Sequence, residues 1–115
     1  RRAGLDASAL PVVMGSHLDT QPTGGRFDGV LGVLAGLEVL ETLDDAGIAT
    51  QRPVVVAVWT NEEGARFRPA MMGSGVHCGV HSLMEIYAIA DKDGITVGEE
   101  ITRQGYADGF VPGNH

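Results

Sequence analysis

The chain has 115 residues, of which 43% are hydrophobic and 20% charged, and its formal net charge is -7. This length suits one domain with a modest core. The acidic balance and the single lysine argue against nucleic acid or an anionic membrane surface as a partner. The apolar runs are too short for a membrane-spanning helix. The single cysteine, Cys78, excludes an internal disulfide and favours a reducing compartment, so we expect a cytoplasmic location.

The first predicted elements are two strands with a helix between them. Residues 10–14 form an apolar run without polar alternation, which predicts a strand buried on both faces. From Val30 onward, apolar residues recur at helical spacing, with Asp28 at the expected N-cap and Gly47 as the expected stop. Residues 53–59 are mostly β-branched and uncharged, which is typical of a central parallel strand. This order predicts a right-handed βαβ unit.

Three glycines, Gly29, Gly32 and Gly36, fall at the start of this predicted helix or within it. In a helix interior each costs about 1 kcal/mol relative to alanine. Such a cost indicates close packing of the helix against the sheet, or a functional site near the start of the helix.

The second half of the chain has weaker patterns. Thr96 followed by Glu99 forms a capping box, which predicts a short helix over residues 96–104. For the other segments we expect, in chain order, a loop over 64–75 with a turn at 73–75, a weak helix over 76–90 broken near Gly79, and a loop over 109–115.

A histidine and four acidic residues follow the two predicted strands. His17, Asp19 and Asp28 come after the first strand, and Glu62 and Glu63 come after the second. Open α/β sheets bind their ligands at the carboxyl ends of the strands. We therefore interpret these residues as one half of a two-metal hydrolase site.

The first group has a plainer interpretation beside the metal site. His17 and Asp19 lie two residues apart, so on extended backbone their side chains point to the same face. The Asp19 carboxylate could then accept the ring N–H of His17 and fix the tautomer that binds a metal. Alternatively, His17 is a turn histidine beside a capping aspartate, which the short pattern alone favours. Asp28 is either the N-cap of its helix, the commoner role, or a carboxylate that bridges two metal ions.

Glu62 and Glu63 are adjacent acids at the end of a strand that we expect to be buried. Uncompensated buried charge is costly, so a metal ion would explain the pair. Neighbouring side chains on extended backbone diverge, which would let one carboxylate bind a metal while the other faces substrate. The spacing does not say which does which. The alternative is a polar strand end at the surface.

Four other residues have weaker signals. His77 and His81 lie at i and i+4 and resemble a metal pair on a helix, but the glutamate of an H-E-x-x-H motif is not between them. A surface or packing role is therefore favoured for both. We expect Cys78 to be a small buried residue. Arg66 either binds an anionic group or forms a structural salt bridge.

Several blocks of the sequence resemble one known family. The string MGSHLDTQPTGGRFDGVLGVLAGLEVL, followed by VWTNEEGARFRPAMMGSG, closely resembles the N-carbamoyl-L-amino-acid hydrolase, allantoate amidohydrolase and β-ureidopropionase group of the M20 metallopeptidase family. The similarity extends through DGITVGEEITRQGYADG and so covers nearly the whole chain. The resemblance implies an α/β fold, a three-layer sandwich with a mostly parallel central sheet, as in zinc-peptidase-like catalytic domains.

The resemblance also implies a role for each matched residue. His17 and Glu63 would each ligate a divalent metal ion, and Asp28 would bridge two such ions. Glu62 would be the general base, and Asp19 would orient His17. The ions would be zinc, or manganese, cobalt or nickel, all of which are compatible with imidazole and carboxylate ligands.

The resemblance further implies that the chain is a fragment. Residues 1–115 would form part of the catalytic domain, without the family's N-terminal segment, dimerisation domain and C-terminal part, and the parent enzyme would be a homodimer. The resemblance implies further histidine ligands downstream. His115 is not one of them, since its stretch does not match the family's ligand block. A cis peptide bond is expected between Asp28 and Gly29.

The implied reaction is hydrolysis of a linear amide or ureido C–N bond in an N-carbamoyl amino acid or an allantoate-like small molecule, by a metal-activated water. The nearest alternative is an M20 aminoacylase or dipeptidase that acts on a peptide-like bond. Two other hypotheses are a non-catalytic metal-binding module and an inactive truncated fragment.

Overall fold

The computed structural model describes residues 1–107. Contacts divide the chain into two compact units, one over Arg1–Val58 and one that begins at Trp59. Among residues 1–107, no helix has the length and apolar character needed to cross a membrane. The loop expected over residues 109–115 lies outside the described residues. In chain order, the elements are β1 (Val12–His17), α1 (Val30–Asp45), β2 (Val54–Trp59), α2 (Met72–His77), α3 (Leu83–Tyr87) and α4 (Val97–Arg103).

The first unit is built on the predicted β-α-β succession. β1 and β2 are neighbours in a two-stranded parallel sheet, and α1 packs against β1. On the opposite side of β2, Val54 forms an antiparallel bridge with Arg2, while the Val12 N–H donates to the Pro53 carbonyl on the β1 side. The α/β class is therefore confirmed.

The glycines of α1 allow the helix to approach the sheet closely. A Cβ atom on Gly32 would lie 2.6 Å from the Cβ of Ser16 in β1. A Cβ atom on Gly36 would lie 3.0 Å from a methyl carbon of Val56 in β2. These short distances confirm the prediction that α1 packs closely against the sheet at its glycines.

The bounds and burial of β1 differ from the prediction. The strand spans Val12–His17 rather than the predicted residues 10–14, so it begins later and includes Gly15, Ser16 and His17. Val12 and Val13 are 46% and 44% exposed, so burial on both faces is wrong. Within residues 1–107, β1 pairs only with β2, and this pairing extends the strand regardless of local propensity.

The start of α1 differs from the prediction, and its end agrees with it. The N-cap is Gly29 rather than Asp28, and no side-chain hydrogen bond caps the first turn. At the other end Gly47 adopts a φ of 62°, its N–H donates to the Asp44 carbonyl, and the Ile48 N–H donates to the Leu43 carbonyl. This is the αL termination that favours glycine, and it confirms Gly47 as the stop.

Over its described residues, 59–107, the second unit has three short helices around a small core of Phe67, Met72, Ile86 and Val97. The turn expected at residues 73–75 is wrong, because these residues lie inside α2. The break near Gly79 is confirmed, since α2 ends at His77 and α3 starts at Leu83. The capping box at α4 is present as predicted, and α3 has a second one, between Ser82 and Glu85, that the sequence pattern S-x-x-E could have revealed.

An ion-pair network links Arg66 and Arg103 to Asp91 and Glu100 in this unit. Arg66 Nε lies 2.8 Å from Asp91 Oδ2, and Arg66 Nη1 lies 3.3 Å from Glu100 Oε2. Arg103 and Gln104 also donate to Glu100, which is buried. Hydrogen bonds from Arg103, then Gln104, lower the pKa of Glu100 to about 2. Of the two interpretations of Arg66, the structural salt bridge is therefore confirmed.

A first prediction concerns the packing of α1. We expect Gly32→Ala to lower the free energy of unfolding by about 1–2 kcal/mol, because overpacking against Ser16 exceeds the ~1 kcal/mol gain in helix propensity. Chemical denaturation of the chain measures this. Adding Ser16→Gly removes the clashing Cβ and should restore part of the loss. A Gly32→Ala variant that is more stable than the parent would contradict the packing assignment.

A second prediction concerns acid stability. The pKa of Glu100 is about 2 in the folded state and about 4.3 in an unfolded chain, so its contribution is present above pH ~4.3 and is lost as pH falls toward 2. We expect Glu100→Gln to be less stable at neutral pH and to show a shallower loss of stability between pH 4.5 and 2. The control is Glu41→Gln at an exposed position of α1. If the parent and Glu100→Gln lost the same stability between pH 4.5 and 2, the lowered pKa of Glu100 would be refuted.

Candidate metal centre

His17 is the last residue of β1, and its side chain is buried beside the start of α1. Its Nδ1 atom lies 2.8 Å from the backbone carbonyl oxygen of Asp19. A carbonyl oxygen only accepts, so Nδ1 carries the proton in this contact. In the neutral ring, Nε2 then carries the lone pair, which is the form of histidine that binds metals.

Both carboxylates of the first group lie near the His17 ring. Asp28 Oδ1 is 3.9 Å from Nε2, and Asp19 Oδ1 is 3.6 Å from Nδ1. The first unit therefore brings His17, Asp19 and Asp28 together, as the sequence predicts. The tautomer of His17 is set mainly by the Asp19 carbonyl rather than by the Asp19 carboxylate, because the carbonyl oxygen is the closer acceptor.

The separation between Nε2 and Asp28 fits a shared cation. Zinc takes imidazole nitrogen and carboxylate oxygen at about 2.0–2.2 Å, so two ligands of one tetrahedral ion lie about 3.4 Å apart and cannot exceed about 4.3 Å. The observed 3.9 Å lies between these values, so a tetrahedral ion would draw the two groups about 0.5 Å closer together. The Asp28 side chain is 38% exposed, which leaves it accessible to an ion from solvent. These residues therefore fit a divalent metal.

Gly29 makes this arrangement possible. It adopts a φ of 58°, and a Cβ atom there would lie 2.5 Å from Nδ1 and from the carbonyl oxygen of His17. A side chain at this position would be strained by its φ and would collide with the ring. The chain thus turns sharply from Asp28 into α1 while the imidazole packs directly against the backbone.

The cis peptide bond expected between Asp28 and Gly29 is not present. Within residues 1–107, the cis bond is Arg68–Pro69.

Glu62 and Glu63 belong to the second unit and follow the last residue of β2 by three and four positions. Both are half-buried, so neither lies fully exposed at the surface. The Glu62 carbonyl accepts a hydrogen bond of 2.7 Å from the Met71 N–H. Glu62, Glu63 and His17 each offer a ligand atom of a kind that metal ions take, a carboxylate oxygen or a ring nitrogen.

The remaining residues do not behave as a metal pair on one helix. α2 ends at His77, so His81 lies outside it and the i, i+4 pairing on a helix is wrong. The His77 ring packs against Trp59 with centroids 5.2 Å apart, which agrees with a packing role. Cys78 is exposed, so its expected burial is wrong. The short helix places it at the end of α2, where its side chain faces solvent.

One residue of interest has no part in the sequence prediction. Asn61 immediately precedes the two glutamates and adopts a φ of 52°, in the left-handed region. Asparagine is several-fold enriched in that region among residues other than glycine. An asparagine between a strand and two acids was therefore a usable signal for a fixed turn.

Comparison with known proteins identifies related chains. The profile of "Peptidase family M20/M25/M40" matches residues 13–109. An N-carbamoyl-L-amino-acid amidohydrolase from Rhizobium meliloti is 61% identical over 91% of this chain and 25% of its own length. An N-carbamoyl-L-amino acid amidohydrolase from Geobacillus stearothermophilus is 43% identical over 97% of this chain and 27% of its own length.

A solved structure agrees with these matches. The crystal structure of a hydantoinase/carbamoylase family amidase from Burkholderia ambifaria aligns with a TM-score of 0.88 and 60% identity, over 90% of this chain and 26% of that one. The chain thus spans about a quarter of the length of the relatives that it matches.

Proposed function

Because this chain belongs to the peptidase family M20/M25/M40, we propose that it forms part of a metal-dependent amidohydrolase. The proposed reaction is hydrolysis of the linear ureido or amide C–N bond of an N-carbamoyl amino acid or an allantoate-like compound. The observation that carries the proposal is the His17 cluster, in which Nδ1 is held by a carbonyl and Nε2 lies 3.9 Å from Asp28. The names of the two N-carbamoyl-amino-acid amidohydrolases support the substrate class.

In this proposal, His17, Asp28 and Glu63 would hold the divalent ions, with Asp28 shared between two of them. The donor types support it, since imidazole and carboxylate suit zinc, manganese, cobalt and nickel alike. When bound, such ions supply a water whose pKa is lowered toward ~7 and polarise the scissile carbonyl.

In this proposal, residues of the chain orient the metal ligand and transfer the proton. Asp19 keeps the His17 ring oriented, and Glu62 takes a proton from the attacking water and passes it to the leaving nitrogen. With an N-carbamoyl amino acid and one water, the products are the amino acid, ammonia and carbon dioxide. The half-buried position of Glu62 supports this role, because it limits competing water around the carboxylate.

The wider organisation is also a proposal. Since the chain spans about a quarter of its relatives, we assign residues 1–115 to the catalytic domain and place the other metal ligands and a dimerisation domain elsewhere in a homodimeric parent. The single cysteine supports a cytoplasmic location.

A second candidate is an aminoacylase or dipeptidase, which the description of the family as a peptidase favours. The same metal ligands and the same general base would serve it. Parallel assays of the complete enzyme with N-carbamoyl amino acids, allantoate and dipeptides separate the two. Turnover of dipeptides alone would replace the first proposal with the second.

Metal content gives a direct test of the His17 cluster. We expect the chain to retain a divalent ion after dialysis, and Asp28→Ala to lose most of it because one of the two facing donors is gone. Plasma mass spectrometry measures metal per chain. Asp45→Ala, at the exposed end of α1, is the matched control and should retain the parent's content. Equal metal in Asp28→Ala and parent would remove Asp28 from the ligand set.

The role of Glu62 is tested in the complete enzyme. We expect Glu62→Gln to keep the metal and to lose roughly 10²–10⁴-fold in kcat, the usual contribution of a general base. Steady-state kinetics with metal quantification measures both, and Glu38→Gln on the exposed face of α1 is the control. A fully active Glu62→Gln enzyme would exclude the general-base role.

A further inference from the structure

The backbone just before Glu62 and Glu63 is held in a costly conformation. Asn61 adopts a φ of 52°. Residues other than glycine are disfavoured in this region, although asparagine tolerates it best. Such a conformation persists only where surrounding contacts determine it, so the contacts of Asn61 are informative.

The Asn61 side chain uses its amide group to close the following loop. Nδ2 donates to the Phe67 carbonyl at 2.8 Å and to the Pro69 carbonyl at 3.2 Å. An asparagine amide has two N–H hydrogens, enough to donate to both carbonyls, and Nδ2 also lies 3.9 Å from the Met72 sulfur. We call this contact, from Asn61 to the carbonyls of Phe67 and Pro69, the Asn61 clamp. It ties the residue before the two glutamates to the chain that leaves them.

The backbone reinforces the Asn61 clamp. The N–H groups of Met71, Met72 and Gly73 donate to the carbonyls of Glu62, Asn61 and Thr60, at 2.7, 3.3 and 2.9 Å respectively. Three successive amides at the start of α2 thus bind three successive carbonyls after β2. Met72 is only 2% exposed, so this return segment is anchored in the core of the second unit.

The middle of the loop is also anchored. Phe67 is buried, and the Arg66 guanidinium lies 4.7 Å above its ring while also pairing with Asp91. Gly64 adopts a φ of 64°, and a Cβ atom there would lie 3.0 Å from the Ala70 backbone. The loop is therefore packed against itself on both sides of the two glutamates.

We propose that Asn61 is a positioning residue whose clamp fixes the backbone of Glu62 and Glu63 in the conformation that metal binding and proton transfer require. The proposal rests on the proposed function for the roles of the two glutamates. In this proposal Asn61 acts by closing the loop rather than as a metal ligand or a proton-transfer group. Misplacement of a reacting group by about 1 Å can cost about 10²-fold in rate, so a loosened loop should have a measurable effect.

Two substitutions in the complete enzyme separate the clamp from other effects. Asn61→Asp keeps the shape but replaces the donors by an acceptor that faces two carbonyls. Asn61→Gly removes the side chain and accepts a positive φ without strain. Gln51→Glu makes the same change from amide to acid at an exposed position and is the matched control. Three readouts apply: hydrogen exchange in residues 62–71, the dissociation constant for Zn²⁺ alone, and kcat per zinc-loaded site against KM.

We expect both Asn61 variants to exchange at least about 10-fold faster in residues 62–71, with α4 unchanged. We also expect about 10-fold weaker Zn²⁺ binding, the scale seen when residues that orient metal ligands are changed. kcat per zinc-loaded site should fall about 10–10²-fold, with KM within about 3-fold. The control should match the parent in all three readouts.

Other results would overturn the proposal. Unchanged exchange in both variants would show that the clamp does not hold the loop. Faster exchange with parental Zn²⁺ affinity and kcat would make the clamp structural only. If Asn61→Asp changed the three readouts and Asn61→Gly did not, the cause would be the added negative charge rather than the lost clamp. A parent that hydrolyses none of the substrates would count against the proposed function instead, while hydrogen exchange and Zn²⁺ affinity would still decide the role of Asn61.

Discussion

The first unit depends on how closely α1 can approach the sheet. Gly29, Gly32 and Gly36 bring the helix backbone against the His17 ring, Ser16 and Val56 in turn. A Cβ atom at Gly29 or Gly32 would collide with these neighbours, and one at Gly36 would be in tight contact with Val56. Together these contacts set the position of the first turn of α1 relative to the end of β1, and so the position of Asp28 relative to His17. The geometry of His17 and Asp28 is therefore a consequence of helix-to-sheet packing.

The glycines that allow this packing lower the helix propensity of α1, and no local interaction within the helix compensates for the loss. Gly32 and Gly36 each weaken the helix by about 1 kcal/mol relative to alanine. The compensation is tertiary, because the glycines bring the helix backbone onto the strand that ends at His17. A longer interaxial distance would allow better helix formers, but it would carry Asp28 away from the imidazole. Fold stability and site geometry thus constrain the same positions.

Much of this fold could be predicted because some signals are local. The long periodicity of α1, its Gly47 stop and the Thr96 capping box depend only on neighbouring residues. The failures are non-local. Glycine and serine at the end of β1 remain in the strand because β2 pairs with it. The glycines of α2 form a helix because its first amides bond to the carbonyls that follow β2.

The candidate site also combines features that local sequence signals predict with features that depend on the folded backbone. The grouping of His17, Asp19 and Asp28 could be predicted, since strand ends and i, i+2 spacing are visible in sequence. The atom that holds His17 could not, because it is the carbonyl of Asp19, whose direction depends on the backbone. It follows that the tautomer is set by the conformation of the chain after β1, while the Asp19 carboxylate, at 3.6 Å, adds an electrostatic contribution. Asn61 is the parallel case in the second unit: an amide whose partners, the carbonyls of Phe67 and Pro69, exist only once the loop has closed.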